Sequence, residues 1–325
     1  MITGGAGFIG SHLADNLTAR GDEVVILDDL STGRRENVEH LLADGRARLH
    51  TESTLESGVV NKLMAEADTC FHLASSVGVK LIVDEPLDSV LRTVRGTDVV
   101  LGAAARHHTR LLFTSTSEVY GKSDGQPLGE HDDRIVGPPT KSRWSYSTAK
   151  VFGEVLAYGY TRERGATMTV ARLFNAVGPR QSSAYGMVLP RFVRQALAGD
   201  DLTVYGNGAQ SRCFTHVDDT VEALVELIET EAAIGNVYNV GAADQITIIE
   251  LARRVVERTG SSSAIRLVPY EEAYSDGFEE LGSRMPDCAE IERLIGWHPR
   301  RTVDDAIDDV IAYERDDVAT LRAAA

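Results

Sequence analysis

Basic residues are in short supply: 33 Lys and Arg face 49 Asp and Glu, a formal charge of −16. A phosphate backbone or an anionic bilayer needs a basic surface, so neither nucleic acid nor a membrane is expected as a partner. An anionic small substrate would need locally placed arginines. Uninterrupted apolar runs are missing too, and no segment reaches the roughly 18 residues of a membrane span. Cysteine is sparse, with Cys70, Cys213 and Cys288 odd in number and far apart. They form no Cys-x-x-Cys pair and no His spacing suited to zinc, which points to a reduced, cytoplasmic, metal-free protein. The sequence holds no internal repeat, low-complexity tract or flexible linker. No leader is expected, because Met1-Ile-Thr runs straight into a glycine turn. A strand of three residues, where about five is usual, reads as a truncated or internally numbered start.

What is there is a chain of 325 residues, 43% hydrophobic, whose length suits two lobes. In its first half, short β-branched runs alternate with longer amphipathic stretches, the pattern of βαβ units on a parallel sheet. Strands are predicted at Glu23–Leu27, Ala47–His50, Thr69–Leu73, Arg110–Thr114 and Thr167–Arg172. Helices are predicted at Ile9–Arg20, Ser57–Ala65, Asp84–Arg106 and Tyr146–Arg164. After Phe174, Gly178, Gly186, Gly206 and Gly208 punctuate shorter elements. The expected fold is α/β, with a Rossmann-type doubly wound parallel sheet from residues 1–174 and about 214–240. A smaller α/β substrate-binding lobe is expected from 175–213 and 241–325. Within 214–240, a helix at Asp218–Thr230 and a strand at Val237–Val240 return to the first lobe.

Two motifs carry the chemistry. Gly4, Gly7, Phe8, Ile9 and Gly10 fall where a strand turns into a helix, so missing side chains let a pyrophosphate approach the N–H groups of a helix N-terminus. Asp28 ends the second strand about 20 residues further on, where an acid accepts ribose hydroxyls and favours NAD over NADP. Arg34 and Arg35 read as solvated, since the carboxylate would repel a 2′-phosphate. Roughly 140 residues beyond the turn, Tyr146-x-x-x-Lys150 places a phenol and an ammonium on one helix face. The ammonium is expected to draw the phenol toward neutrality, leaving a phenolate able to take a proton from a sugar hydroxyl.

The Gly-x-x-Gly-x-x-Gly spacing, Phe71-His-Leu-Ala-Ser75, Ser115-Thr-Ser-Glu-Val-Tyr-Gly121 and Tyr146-x-x-x-Lys150 together resemble the extended short-chain dehydrogenase/reductase family over essentially the whole chain. The resemblance implies that Leu73, Ala74 and Ser75 line the cofactor, Thr116 orients the reacting hydroxyl, Tyr146 is the base and Lys150 also holds the nicotinamide ribose. His72 reads as a strand residue beside the pocket. Asn175, the run from Tyr185 through Met187 and Val188 to Arg191, the strand ending at Tyr205, and Gln210-Ser-Arg212 resemble the nucleoside-diphosphate-sugar lobe of the same family. Arg212 suits a pyrophosphate through its paired donors, and Met187 and Tyr205 are candidates to cover uracil.

Related 4,6-dehydratases carry Asp-Glu where this chain has Ser117-Glu118, and loss of that Asp disfavours dehydration. Ser117-Glu118, Ile135-Val-Gly-Pro, Lys141-Ser-Arg-Trp-Ser-Tyr146 and the run from Gly277 through Arg284 to Pro286 resemble the UDP-glucuronate decarboxylases. The resemblance assigns Glu118 and Arg284 to the steps after oxidation, against a structural pairing of Arg284 with Glu279 or Glu280. It implies an NAD-dependent enzyme acting on UDP-glucuronate. The rivals are a UDP-glucuronate 4-epimerase and a non-catalytic NAD-sensing protein of the same fold. A homodimer is expected, because helices 84–106 and 146–164 carry apolar residues on more than one side, among them Val99, Val100, Leu101, Val151, Phe152 and Val155.

Overall fold

A computed structural model describes residues 1–75, 86–183, 187–269, 272 and 284–324. Seven strands form its main sheet: β1 (Ile2–Thr3), β2 (Val24–Leu27), β3 (Ala47–His50), β4 (Thr69–His72), β5 (Arg110–Thr116), β6 (Met168–Leu173) and β7 (Val237–Val240). Their order is β7-β6-β5-β4-β1-β2-β3, and each neighbouring pair runs parallel. Ile2 pairs with Ile26 on one side and Phe71 on the other, so β1 sits where the strand order reverses. In an open α/β sheet that reversal leaves a crevice beyond the strand ends, which is where ligands bind.

Leu111 to Ser115 are buried without a break. Such a run belongs to a strand covered on both faces, unlike the alternation of a half-solvated one. The predicted strands are recovered with ends shifted by one or two residues. The helices α1 (Phe8–Ala19) and α2 (Pro86–His107) match the predicted segments as closely, α3 (Arg143–Arg164) begins three residues before the predicted Tyr146, and the expected start at Asp84 lies outside the described residues. One face of the sheet packs Ile2, Ile26, Phe71 and Leu112 against Leu13 of α1. The other packs Leu27, Phe113 and Met168 against Val100 and Leu101 of α2 and Ala157 of α3. Val100 and Leu101 are therefore core residues and are not available to a subunit interface. Val99 and Val151 are partly buried against core side chains, which leaves Phe152 and Val155 exposed on α3.

Beyond β6 the chain builds α4 (Val188–Ala198), α5 (Val217–Glu229), α6 (Ile248–Thr259) and α7 (Val303–Ala324). Phe192 of α4, Leu251 of α6 and Ile307 and Val310 of α7 share a second core with Leu202 and Val204. Strand Leu202–Tyr205 pairs in parallel with Ile265–Val268, and Ser211–Cys213 pairs antiparallel with Gln245–Thr247. Val221 and Leu224 of α5 join the core of the large sheet, and β7 extends that sheet at its edge. Ile291 and Trp297 also pack there, with the Trp297 indole donating to Asp219 O at 3.1 Å. Among the described residues, no helix is long and apolar enough to cross a membrane.

Candidate active site

The turn between β1 and α1 is built by close backbone approach. Gly4 has φ 73°, in the left-handed region that favours glycine, and its N–H bonds Leu27 O at 2.8 Å. A Cβ on Gly10 would stand 2.1 Å from Gly4 O, so the helix can begin here only without a side chain. Gly7 caps α1 with no side-chain hydrogen bond, and Phe8, Ile9 and Gly10 present its first turn to a cavity of about 530 Å³. Uncapped N–H groups and the positive end of the helix dipole make this wall fit a pyrophosphate. Asp28 enters the same cavity from the end of β2, its carboxylate accepting from Ala6 N and Leu30 N, each at 2.9 Å. Burial raises its carboxyl above the ordinary carboxylate range, and the N–H groups of Leu30 and Ala6 pull it back. Leu73, Ala74 and Ser75 follow β4 along the cavity wall.

The opposite wall comes from β5 and α3. At the end of β5 the chain tightens into a turn over Ser117–Tyr120, with Glu118 N donating to the Thr116 hydroxyl at 3.2 Å. Tyr146 and Lys150 stand one helical turn apart on α3 and face the same space. Lys150 Nζ donates to Thr114 O at 2.9 Å and lies 4.9 Å from the centre of the Phe113 ring. Burial pushes its ammonium down to about 7, with the Glu154 carboxylate resisting. Arg284 reaches this wall from the far end of the sequence, its Nη2 4.0 Å from Glu118 Oε1. Glu279 and Glu280, the expected alternative partners, lie outside the described residues. Ser117 is buried beside them and also lines the cavity.

The rest of the cavity wall includes Asn175, Met187, Val188, Arg191, Tyr205 and Arg212. Tyr185 lies outside the described residues. Arg191 donates to Thr203 O at 2.8 Å and to the Thr203 hydroxyl at 2.6 Å, and its guanidinium sits 4.2 Å over the Tyr205 ring. It therefore backs Tyr205 as a platform. Asn175 donates from its amide to Cys213 O at 2.8 Å, which ties the end of β6 to the strand Ser211–Cys213. Sequence reading missed Arg92 and Arg180, which also line the cavity. Arg180 has φ 65° and pairs with Asp15 at 2.7 Å, an arrangement with no periodic signature. His72 is not in the cavity lining; it is buried in β4 between the hydroxyls of Thr3 and Thr97 at 2.6 and 3.1 Å. Among the described residues no group of three or more His, Cys, Asp or Glu is placed to hold a metal ion.

With this geometry in view, the sequence matches the family described as GDP-mannose 4,6 dehydratase over residues 1–310. The chain belongs to that family. Membership in the GDP-mannose 4,6 dehydratase family agrees with the resemblance to extended short-chain dehydrogenases/reductases drawn from the motifs. The chain is 40% identical over 317 residues to the UDP-N-acetyl-alpha-D-glucosaminuronate decarboxylase of Bacillus cytotoxicus, covering 97% of each. It is 35% identical to UDP-glucuronic acid decarboxylase 1 of Xenopus tropicalis, covering 97% of this chain and 72% of that one. Among solved structures of the fold, the UDP-glucuronic acid 4-epimerase of Bacillus cereus in complex with UDP-glucuronic acid and NAD superposes with a TM-score of 0.87. That similarity is at 26% identity and covers 97% of this chain and 98% of the epimerase.

Proposed function

We propose that the chain is an NAD-dependent UDP-glucuronate decarboxylase. It would oxidise C4 of the sugar, release C6 as carbon dioxide and give a UDP-4-keto-pentose or, once the hydride returns, UDP-xylose. The observation that carries this reading is the Glu118–Arg284 pair, 4.0 Å apart on the wall that also bears Thr116, Tyr146 and Lys150. A 4-epimerase has only to move a hydride and turn the sugar, whereas decarboxylation also needs a cation and an acid near C5. The decarboxylases among the relatives support the same reading.

Gly4, Gly7, Phe8, Ile9, Gly10 and Asp28, with Leu73, Ala74 and Ser75, would hold NAD. When bound, the nicotinamide supplies a reversible hydride acceptor at C4. Tyr146 takes the C4 hydroxyl proton, Thr116 orients that hydroxyl, and Lys150 supports the phenolate and would hold the nicotinamide ribose. Once C4 is a ketone, the C6 carboxylate lies β to it, and the electron pair left by departing carbon dioxide enters an enolate. Arg284 stabilises that charge, while Glu118 orients the carboxylate for departure and positions the water that protonates C5. Ser117 has a hydroxyl where dehydratases have an acid, so it offers no ready proton for expelling a C6 hydroxyl. Asn175, Met187, Val188, Tyr205 and Arg212, with Tyr185, would bind the UDP-sugar, with Arg191 holding Tyr205 in place. In this reading residues 1–174 and about 214–240 form the cofactor lobe, and 175–213 with 241–325 the sugar lobe.

A second substrate merits equal testing, a UDP-hexuronate with an acetamido group at C2, because the Bacillus cytotoxicus relative is named for it. Incubating the protein with NAD and each UDP-hexuronate, then weighing the products, separates the readings. Loss of the carboxyl mass is expected, with the larger kcat/KM identifying the substrate. A product of unchanged mass with C4 inverted would make the protein an epimerase. No turnover of either would leave a non-catalytic NAD-binding protein. We also propose a homodimer through α2 and α3, and a cytoplasmic setting in keeping with the free thiols Cys70, Cys213 and Cys288.

A further inference from the structure

Behind the catalytic wall, five side chains that do not line the cavity form one hydrogen-bonded chain: Glu154, Arg172, Tyr120, Asn239 and Glu130. Arg172 of β6 binds both Glu154 carboxylate oxygens, at 3.0 and 2.8 Å, and its Nη1 donates to the Tyr120 phenol at 2.9 Å and to Glu130 O at 3.0 Å. Glu154 lies one helical turn past Lys150 on α3 and also accepts from the Ser115 hydroxyl of β5 at 2.5 Å. The Tyr120 phenol donates to Asn239 Oδ1 at 2.7 Å. The Asn239 amide then donates to Leu128 O at 2.8 Å and Asp287 O at 2.9 Å, while its backbone N–H bonds the Glu130 carboxylate at 2.8 Å.

The two carbonyls that Asn239 holds close a short ladder. Met285 pairs with Pro127 and Pro286 with Leu128, and Asp287 N donates to Leu128 O at 3.0 Å. Arg284 is the residue immediately before this ladder. At the other end of the network, Tyr120 closes the turn that starts at Ser117 and contains Glu118. The Tyr120–Asn239 bond thus ties the turn bearing Glu118 to β7, across 119 residues of sequence, and the Asn239 amide carries the link on to Asp287 O, three residues past Arg284. We propose that Tyr120 and Asn239 are positioning residues that set the separation of Glu118 and Arg284, and with it the step after C4 oxidation.

The amide cannot be turned over cheaply. Reversal would set its oxygen against the Leu128 and Asp287 carbonyls and its NH₂ against a phenol already receiving a proton from Arg172. Burial pushes the Tyr120 phenol up to about 12, so it remains a donor throughout the working range of pH. A fully satisfied network of this kind holds a single geometry, and each member that is removed leaves another buried polar group exposed to the loss. Tyr146 and Lys150 are carried by α3 and not by the turn that Tyr120 closes, which is why oxidation and carbon loss should separate.

The inference rests on the decarboxylase reading, and the test distinguishes the two. In Tyr120→Phe the ring stays and the bond to Asn239 goes; in Asn239→Asp the acceptor stays and both donors to the carbonyls go. Each is assayed with NAD and UDP-glucuronate for carbon dioxide release, for single-turnover NADH formation, for substrate Kd by calorimetry and for Tm. Both variants should release carbon dioxide roughly 10²-fold more slowly, the scale of a catalytic group misplaced by about 1 Å, with NADH formation and Kd unchanged. Val119→Ala trims an apolar neighbour in the same buried cluster as Tyr120 and should lower Tm while keeping the wild-type ratio of the two rates. Parallel loss of both rates, an unchanged carbon dioxide rate, or the same selective defect in Val119→Ala would each overturn the positioning role while the decarboxylase reading stands. Wild-type protein that oxidises the sugar and releases no carbon dioxide would remove both.

Discussion

Tyr146 and Asp28 serve different halves of the cavity, so replacing them should damage different measurements. The Tyr146 ring is buried on α3. Phenylalanine would keep its packing and remove the proton acceptor. Tyr146→Phe is expected to lower kcat on the order of 10²–10⁴ with NAD affinity retained, and a near-wild-type rate would refute its assignment as base. Asp28→Ala should weaken NAD by about 1.5–3 kcal/mol in calorimetry while UDP binds as before. Because the same carboxylate fastens Ala6 N and Leu30 N, the substitution should also lower Tm. Equal weakening of both ligands would contradict the division of the cavity. His72 has a third signature, one of pH. Burial, with the Lys150 charge adding to it, pushes its imidazole down to about 3 from 6.5. Between those values the unfolded chain takes up a proton that the folded chain refuses, so stability is whole above pH 6.5 and is lost as pH falls toward 3. His72→Gln should flatten this acid limb in denaturant titrations run at several pH values; an unchanged slope would show that His72 titrates normally in the fold.

At the scale of elements, the opening of α1 offers a graded test. A Cβ at Gly10 would meet Gly4 O at 2.1 Å and Gly5 Cα at 2.7 Å, whereas one at Gly7 would meet only Gly4 O, at 3.2 Å. Backbone cannot swing aside as a side-chain tip can. Gly10→Ala is therefore expected to abolish NAD binding and lower Tm, with Gly7→Ala much milder; equal effects would mean that the turn is looser than described. The elements themselves were legible because their signals are local. Runs such as Leu111–Thr114 read as strands of a parallel sheet, and Gly4, Gly7 and Gly10 mark a place where the chain must come close to itself. Tyr146 and Lys150 could be placed together because four residues make one helical turn. The approach of Arg284 to Glu118 was accessible only through resemblance, since no periodicity links residues so far apart. The Arg172–Tyr120–Asn239 network gave no signal at all, because buried polar contacts between distant strands leave no pattern in either segment. The depressed Lys150 ammonium was also hidden. Spacing shows a neighbouring charge, but only the packed structure shows how completely water is excluded from it.

At the scale of the whole molecule, α2 and α3 leave apolar side chains uncovered. Val155 and Tyr158 of α3 are each 58% exposed, and Leu87 of α2 is 69% exposed, on helices that already cover one face of the sheet. Pairing these helices with those of a second subunit would bury them in a four-helix interface. Wild-type protein should sediment as two chains at micromolar concentration and Val155→Glu as one, and a wild type that sediments as one chain would defeat the proposal. The acidic surface adds a bound of its own: with a charge of −16, attraction of the anionic substrate must come from arginines inside the cavity, not from the field of the whole protein. Arg212 and Arg284 are the candidates for that work, and the fate of the sugar carboxylate is what Arg284 is proposed to decide. The most direct measurement uses UDP-glucuronate labelled at C6, with NAD and wild-type protein, beside Glu118→Gln and Arg284→Ala. Labelled carbon dioxide should leave the wild type and fall far more than substrate affinity in both variants, the mark of groups used mainly in the transition state. Label retained in a UDP-hexuronate inverted at C4 would contradict the decarboxylase.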